Sequence, residues 1–206
     1  MDEMNKIKSI KAVLVTHTRA YNQESSMAAD LAGMVAQNGK RVALIDADLR
    51  KPLLNHLFSI PNRVGLIDVL QNRRHLSAAM QPVNGSSLFV LPAGKQESSN
   101  VDIFATPNMG NLLVQLRNQF DKIIVHGPPF FYTETTTLAG LVDGVVLLIH
   151  PGHTRSDPSR AIIEKIQKTG ATVIGIVMRD QPKLPINQSA FIDRLLSYDR
   201  KTRLSP

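Results

Sequence analysis

The segment with the clearest chemical interest comes early in the chain, as THTRAYNQESSMAADLAG at residues 16 to 33. It follows an apolar run at residues 12–15 and leads into a helical pattern. Nucleotide-binding proteins place glycines and a lysine at such a strand-to-helix turn, because backbone N–H groups and the amine then surround a phosphate. Here the turn instead reads Tyr-Asn-Gln-Glu, residues 21 to 24.

The side chains of this turn oppose the binding of a triphosphate. Tyr21 and Gln23 each carry a penalty of about 1–2 kcal/mol in the left-handed conformation that glycine adopts freely, and they add bulk. Glu24 repels a phosphate charge by about 4 kcal/mol at about 4 Å, with an effective dielectric constant near 20. Arg19 and the helix N-terminus at Ser25 still offer positive charge, so weak binding of sulfate or phosphate is the remaining expectation.

Histidines are the other candidates for chemistry. His17 and His126 follow apolar runs and should lie at the carboxyl edge of a parallel sheet, while His150 and His153 follow a third run. Zinc needs three or four ligands in a defined geometry, and no two of these histidines have the spacing of a zinc motif. No metal site of this kind is expected.

Short apolar runs alternate with helical patterns, and these elements must position the candidate residues. Runs that are apolar on consecutive residues are typical of strands buried on both faces of a parallel sheet. Helical stripes are predicted at residues 25–38, 109–120 and 156–169, the first ending at Gly39, which favours a left-handed conformation. The strands are predicted at residues 12–16, 41–46, 88–91, 122–125, 144–149 and 173–178.

The remaining segments complete a single predicted domain covering residues 1–206. Residues 53 to 80 indicate three short helices at the carboxyl edge of the sheet, and residues 92 to 108 are rich in turn formers, which indicates a loop. The core extends from about residue 12 to 180, and residues 181 to 206 form a tail with one amphipathic helix. The alternation predicts a three-layer α/β/α fold with a mostly parallel sheet.

The composition excludes several classes of protein. Lys and Arg number 24 against 17 Asp and Glu, which gives a formal net charge of +7. The basic residues are scattered and aromatic residues are sparse, so nucleic acid is not an expected partner. The chain has no cysteine and no apolar run near the roughly 18 residues of a membrane span, so a soluble cytoplasmic protein is expected.

Four stretches together resemble a known family: VALIDADLRKPLLNHLF, NRVGLIDVL, FVLPAG and LVDGVVLLIHPGHTR, with FDKIIVHGPP between the last two. They are similar to the bacterial tyrosine kinases (BY-kinases) of capsule and exopolysaccharide synthesis. Those kinases are themselves related to MinD and ParA, which are deviant P-loop ATPases. The resemblance therefore implies a P-loop NTPase-like fold of the MinD/ParA type for residues 12 to 180.

The resemblance also implies a role for several positions at which this chain differs from the family pattern. In the family, Tyr21 and Gln23 correspond to glycines and Glu24 to the lysine, while Ser25 and Ser26 correspond to the magnesium-binding pair. His126 replaces an aspartate that holds magnesium through water, and a neutral imidazole is a poor ligand for that cation. Two further positions also depart from the family: Gly127 replaces a threonine, and Arg179 an asparagine that contacts the adenine base.

The pair Asp46 and Asp48 matches the family without change. In active relatives these aspartates position magnesium and the attacking hydroxyl, together with Ser25. The alternative is structural, in which both carboxylates close the strand and cap the turn that follows. The family's tyrosine cluster is reduced to Tyr198, which is interpreted as a helix residue rather than a phosphorylation site.

The degenerate positions favour a catalytically impaired family member, a pseudokinase or pseudo-ATPase. It would act by protein interaction in exopolysaccharide or capsule biosynthesis, chain-length control or export. No cofactor is then expected, and ATP with magnesium binds only if the degenerate site still functions. The expected partners are the cytoplasmic part of a membrane polysaccharide copolymerase or an active kinase paralogue, at the inner face of the cell membrane; a homo-oligomer is left open.

Two alternatives remain. The first is an active ATP-dependent tyrosine autokinase or ATPase of polysaccharide biosynthesis whose rearranged site uses Arg19, Ser25, Asp46 and Asp48. The second is a MinD-like positioning factor that contacts the membrane through its basic C-terminal helix.

Overall fold

The structure is a computed structural model that describes residues 10–18, 25–95, 101–149 and 156–178. The side chains of residues 25, 26, 101, 102 and 156–160 lie outside the description. The chain runs through seven strands, seven α-helices and one 3₁₀ helix within these ranges. No helix in this part of the chain combines the length and the apolar character needed to cross a bilayer.

The strands form one sheet of order β3-β4-β2-β5-β1-β6-β7. All neighbouring strands are parallel except β3 and β4, which pair antiparallel at one edge. The mostly parallel sheet is therefore confirmed. The strand bounds are β1 Ala12–His17, β2 Val42–Asp46, β3 Gln81–Pro82, β4 Leu88–Leu91, β5 Lys122–His126, β6 Gly144–Ile149 and β7 Thr172–Met178.

Helices cover both faces of the sheet, as the consecutive apolar residues predicted. In β2, Val42 and Leu44 pack with the helices at residues 25–37 and 54–57 on one face, whereas Ala43 and Ile45 face the larger core under the other helices. Alternate residues of one strand therefore belong to two different cores. The helices are α1 Ser25–Gln37, α2 Leu54–Leu57, α3 Leu66–Leu70, α4 Leu76–Ala79, α5 Pro107–Arg117, α6 Thr133–Ala139 and α7 Ser156–Lys168.

Some elements differ from the prediction. The predicted loop at residues 92–108 contains a 3₁₀ helix, Val101–Ala105, and the start of α5 at Pro107. Proline is favoured in the first turn of a helix, where its missing N–H needs no partner. Helix α6 and strand β3 were not predicted, because α6 is rich in threonine, which has low helix propensity, and β3 is only two residues long.

Two of the family-like stretches lie against each other beyond the end of β4. The backbone N–H groups of Leu66 and Ile67 donate to the carbonyls of Pro92 and Ala93 at 2.7 and 3.0 Å. A Cβ atom at Gly65 would lie 2.2 Å from the backbone nitrogen of Gly94, so only glycine fits at position 65. The motif GLIDVL thus begins with glycine because two backbone segments touch there.

Candidate functional site

The candidate site lies where β1, β5 and β2 end side by side, at the carboxyl edge of the sheet. Asp46 pairs in register with His126, which also pairs with Val15 of β1. The N–H of Ala47 donates to the carbonyl of His126 at 2.8 Å, and the N–H of Gly127 donates to the carbonyl of Val15 at 3.0 Å. The parallel pairing therefore places the predicted residues Asp46 and His126 on adjacent strand ends.

Asp46 is fully buried and caps helix α2. Its Oδ2 accepts hydrogen bonds from the backbone N–H groups of Leu53 and Leu54, both at 3.0 Å. Its Oδ1 has no hydrogen-bond partner among the described residues. Burial raises the pKa of Asp46 to about 7, against the lowering effect of these backbone donors. Burial therefore favours the protonated carboxyl group over the carboxylate far more than in an exposed aspartate.

Asp48 is buried to a lesser degree and stabilises the next turn. Its Oδ1 accepts a hydrogen bond from the backbone N–H of Lys51 at 3.1 Å. Burial raises the pKa of Asp48, and the Lys51 donor and the charge of His17 partly offset this increase. Asp46 and Asp48 thus make the contacts that the capping interpretation predicts, and their catalytic interpretation stays a prediction.

His126 is buried at the end of β5, next to the end of β1. Neither ring nitrogen has a hydrogen-bond partner among the described residues, and the residue is 3% exposed. Burial, followed by the charge of His17, lowers the pKa of His126 to about 3. The imidazole is therefore neutral at physiological pH. It stands at the position where the resemblance implies an aspartate.

The turn after β5 is fixed above the end of β1. The hydroxyl of Thr16 donates to the carbonyl of Pro128 at 2.7 Å, and the N–H of Phe130 donates to the carbonyl of His17 at 2.8 Å. A Cβ atom at Gly127 would lie 2.6 Å from Cδ1 of Leu14. A threonine, the residue that the resemblance implies at position 127, therefore needs a different Leu14 side-chain conformation.

An ion pair not predicted from the sequence connects this edge to α6. Nη2 of Arg50 lies 2.6 Å from Oε1 of Glu134, and the Arg50 guanidinium lies 4.6 Å from the ring centroid of Tyr132. The Glu134 side chain is 8% exposed and that of Arg50 is 41% exposed. The two residues are 84 positions apart, so no local pattern could pair them; only the basic residue inside DLRKP hinted at a role.

Among the described residues, no group of three or more histidine, cysteine or acidic side chains is arranged to hold a metal ion.

Several of the predicted site residues lie outside the part of the chain that the structure describes. Ser25 begins α1, and the side chains of Ser25 and Ser26 lie outside the description. The other sequence-based candidates also lie outside the described residues: Arg19, Tyr21, Gln23, Glu24, His150, His153, Arg179 and Tyr198.

Known proteins that are similar to this chain include several bacterial tyrosine-protein kinases. The chain is 31% identical over 172 residues to the tyrosine-protein kinase YwqD of Bacillus subtilis, a match that covers 83% of this chain and 73% of that protein. It is 27% identical to the putative tyrosine-protein kinase CapB of Staphylococcus aureus, covering 90% and 81%. The succinoglycan biosynthesis transport protein ExoP of Rhizobium meliloti is 30% identical over 75% of this chain, which is 20% of ExoP.

Solved structures with the same fold include kinase domains. The kinase domain of VpsO superposes with a TM-score of 0.80 at 25% identity, covering 85% of this chain and 87% of that one. A plasmid partition protein from Borrelia burgdorferi superposes with a TM-score of 0.66 at 12% identity over 93% of this chain and 100% of that one, which shows the fold alone. The α/β P-loop fold is thereby confirmed.

No family model matches the chain. The assignment depends instead on the pairwise identity to YwqD over most of both chains. The chain belongs to the family of bacterial tyrosine-protein kinases.

Proposed function

We propose that this chain is a catalytically impaired member of its family that works by protein interaction in exopolysaccharide or capsule biosynthesis. The polysaccharide role is supported by a relative such as the succinoglycan biosynthesis transport protein ExoP. The impairment is supported by the site at the carboxyl edge of the sheet. The observation that carries it is the buried, neutral His126 beside Asp46.

Magnesium binding requires charged or strongly polar oxygen ligands with access to the ion. At this edge, Asp46 has one oxygen occupied by two backbone donors and a pKa near 7, and His126 offers only a neutral imidazole. The residues present do not fit a magnesium–nucleotide complex of the kind that the family resemblance implies. The sequence adds Glu24 where a lysine would neutralise phosphate charge.

Calorimetric titration of the full chain with Mg-ATP tests the impairment. We expect no binding in the micromolar range, because the Glu24 carboxylate repels the phosphates and the neutral His126 ring offers magnesium no oxygen ligand. Micromolar affinity would overturn the proposal.

A restored variant sharpens this test. The combination Tyr21→Gly, Gln23→Gly, Glu24→Lys and His126→Asp should raise the affinity for Mg-ATP by about 100-fold or more, since reversing one charge near phosphate changes the interaction by several kcal/mol. The matched control is Glu24→Gln, which removes the negative charge without adding an amine or a magnesium ligand. Equal affinities of wild type and the restored variant would contradict the proposed cause.

An active kinase with a rearranged site remains the second candidate, because Asp46 and Asp48 both lie at the carboxyl edge and Oδ1 of Asp46 is unpaired among the described residues. Incubation with radiolabelled ATP and the membrane partner separates the two. The active kinase predicts label on Tyr198 that is lost in Asp48→Asn, whereas the impaired protein gives no label.

The proposed partner is the cytoplasmic part of a membrane polysaccharide copolymerase, or an active kinase paralogue, at the inner face of the cell membrane. A genetic complementation experiment tests a role that needs binding but no chemistry. We expect that deletion of the gene lowers polymer yield or changes chain length, and that the Asp48→Asn variant restores it as well as wild type does. Failure of Asp48→Asn at normal protein level would instead support the active kinase.

A further inference from the structure

A cavity lies near the amino end of the strands, opposite the candidate functional site. It has a volume of about 490 Å³ and is bordered by the turn after α3, by α4, by β4 and by the end of α5. Pockets of roughly 300–1,000 Å³ hold small organic ligands. Arg41 lies one residue before β2 and Phe120 two residues before β5, so the cavity is separate from the carboxyl edge.

Positive charge and amide groups provide the polar side of this cavity. None of its lining residues is acidic. Its apolar side includes Met80 and Phe89, so a ligand with both an anionic group and a ring of mixed polarity fits its chemistry. The polar lining residues with nitrogen donors are Arg41, Asn72, Arg74, His75, Gln115 and Gln119.

Arg41 is held in place before any ligand binds. Its guanidinium carbon lies 5.0 Å from the ring centroids of both Phe89 and Phe120, and the two rings pack edge to face with centroids 5.4 Å apart. The backbone N–H of Arg41 donates to Asp121 at 2.8 Å. Within the described ranges its guanidinium has no carboxylate partner. A fixed guanidinium loses less freedom when it binds an anion.

The turn that carries Arg74 and His75 is also fixed. Asn72 adopts a left-handed conformation with φ of 56°, and the backbone N–H groups of Arg73 and Arg74 both donate to the carbonyl of Asp68, at 2.8 and 3.2 Å. The Arg74 side chain is exposed and has no carboxylate partner among the residues that the structure describes. Two cationic side chains therefore line one cavity from two separate segments.

We propose that this cavity binds a small anionic sugar, that is, a hexose that carries a phosphate or a carboxylate. The basic side chains meet the anionic group, and the side-chain amides meet the sugar hydroxyls. A nucleotide or another flat aromatic anion fits less well, because Arg41 and the edge-to-face packing already engage the rings of Phe89 and Phe120. The choice of sugar among small anions rests on the proposed role in polysaccharide biosynthesis.

Calorimetry with the full chain at low ionic strength tests the site with four probes: glucose 1-phosphate, glucuronate, glucose and inorganic phosphate. We expect glucose 1-phosphate or glucuronate to bind about tenfold or more tightly than glucose and inorganic phosphate. The first two probes decide whether the anionic group is a phosphate or a carboxylate. Equal binding of inorganic phosphate, or no binding of either anionic sugar, would overturn the proposal.

Variants locate the binding. Arg41→Ala and Arg74→Ala should each weaken it by about tenfold or more, and Arg41→Lys should lose most of the affinity although it keeps the charge. The matched control is Lys168→Ala, an exposed cation on α7. Both arginines are exposed, but only Arg41 packs over the Phe89 and Phe120 rings, so Arg74→Ala should fold even if Arg41→Ala does not. Full affinity in Arg74→Ala would overturn the proposal.

The sugar-binding experiments can fail independently of the Mg-ATP titration that tests the proposed function. An excess of Mg-ATP and the Asp48→Asn substitution should both leave the sugar affinity unchanged, because Asp48 and the candidate nucleotide site lie at the other end of the sheet. Competition between Mg-ATP and the sugar would contradict a separate site, whatever the nucleotide affinity is.

Discussion

Polar side chains at the two ends of the sheet differ in how completely they are hydrogen-bonded. At the amino end, the carboxylate of Asp143 accepts four hydrogen bonds. At the carboxyl end, one oxygen of Asp46 and both nitrogens of His126 have no partner among the described residues. A buried polar group without a partner costs about 1–3 kcal/mol. The comparison indicates that Asp143 is placed for stability, while the carboxyl end keeps individual polar atoms, Oδ1 of Asp46 and both ring nitrogens of His126, whose burial stability does not explain.

Asp143 shows what a structural carboxylate looks like in this molecule. It accepts from the backbone N–H groups of Lys11 and Ala12, both at 2.8 Å, and from two nitrogens of Arg117 at 2.8 and 2.7 Å. Burial alone would raise its pKa, but the Arg117 and backbone donors outweigh burial and hold the pKa of Asp143 below its ordinary value. The group therefore ties together the start of β1, the end of α5 and the loop before β6.

The largest expected effect at neutral pH is that of Asp143→Asn. We expect the free energy of unfolding to fall by about 2–3 kcal/mol at neutral pH, because charge-assisted hydrogen bonds are lost at a partly exposed site. Urea unfolding followed by circular dichroism measures it. The difference in free energy of unfolding between wild type and Asp143→Asn should shrink as the pH falls from 3.8 through the lowered pKa of Asp143. Below that pKa the Asp143 carboxyl group is protonated and, like the asparagine, carries no charge.

Asp121→Asn is the matched control for that experiment. The Asp121 carboxylate accepts a backbone N–H, that of Arg41, at an exposed site. Its loss should cost less than about 1 kcal/mol. Equal losses in the two variants would mean that the Asp143 cluster is not a special stabilising device.

The next effect concerns pH and the carboxyl end. The pKa of Asp46 is about 7 in the fold and 3.8 in the unfolded chain, so its contribution to stability is full below pH 3.8 and is lost as pH rises through 7. The pKa of His126 is about 3 in the fold and 6.5 in the unfolded chain, so its contribution is full above pH 6.5 and is lost as pH falls through 3. Between pH 3.8 and pH 6.5 the two dependences oppose each other.

Single substitutions should expose each dependence. Between about pH 4 and pH 6.5, Asp46→Asn should lose stability relative to wild type as the pH falls, by about 1.4 kcal/mol per pH unit. His126→Asn should change by a similar amount with the opposite sign. Urea unfolding over this pH range measures both, and the double variant should return to the wild-type slope. Single variants with wild-type slopes would contradict the burial of these two groups.

Local patterns were enough to predict the sheet but not its site chemistry. Val42 and Leu44 belong to one core and Ala43 and Ile45 to the other, so the sequence of β2 records its burial on both faces. The left-handed Gly39 at the end of α1, with φ of 74°, is equally local and was predicted correctly. These features depend on neighbours along the chain, which a sequence displays directly.

Features that depend on distant residues were not predictable in the same way. The sequence identified Asp46 and His126 as site residues, but not that both would be buried with unpaired atoms. The cavity bordered by Arg41 and Arg74 joins segments separated by one strand and two helices, and its two aromatic rings are 31 positions apart. Side-chain pairing across such distances is decided by packing and leaves no periodic pattern.

The smallest expected effect concerns the ion pair between Arg50 and Glu134, which joins the carboxyl edge to α6. Arg50→Ala leaves the mostly buried Glu134 carboxylate unpaired, and we expect a loss of about 1 kcal/mol, because the exposed arginine and its solvent screening limit the effect. Urea unfolding measures it, with Arg63→Ala as the control at an exposed arginine. A loss of stability greater than that of Asp143→Asn would contradict this order. It would mean that the stronger charge cluster lies at the carboxyl edge, beside the candidate functional site.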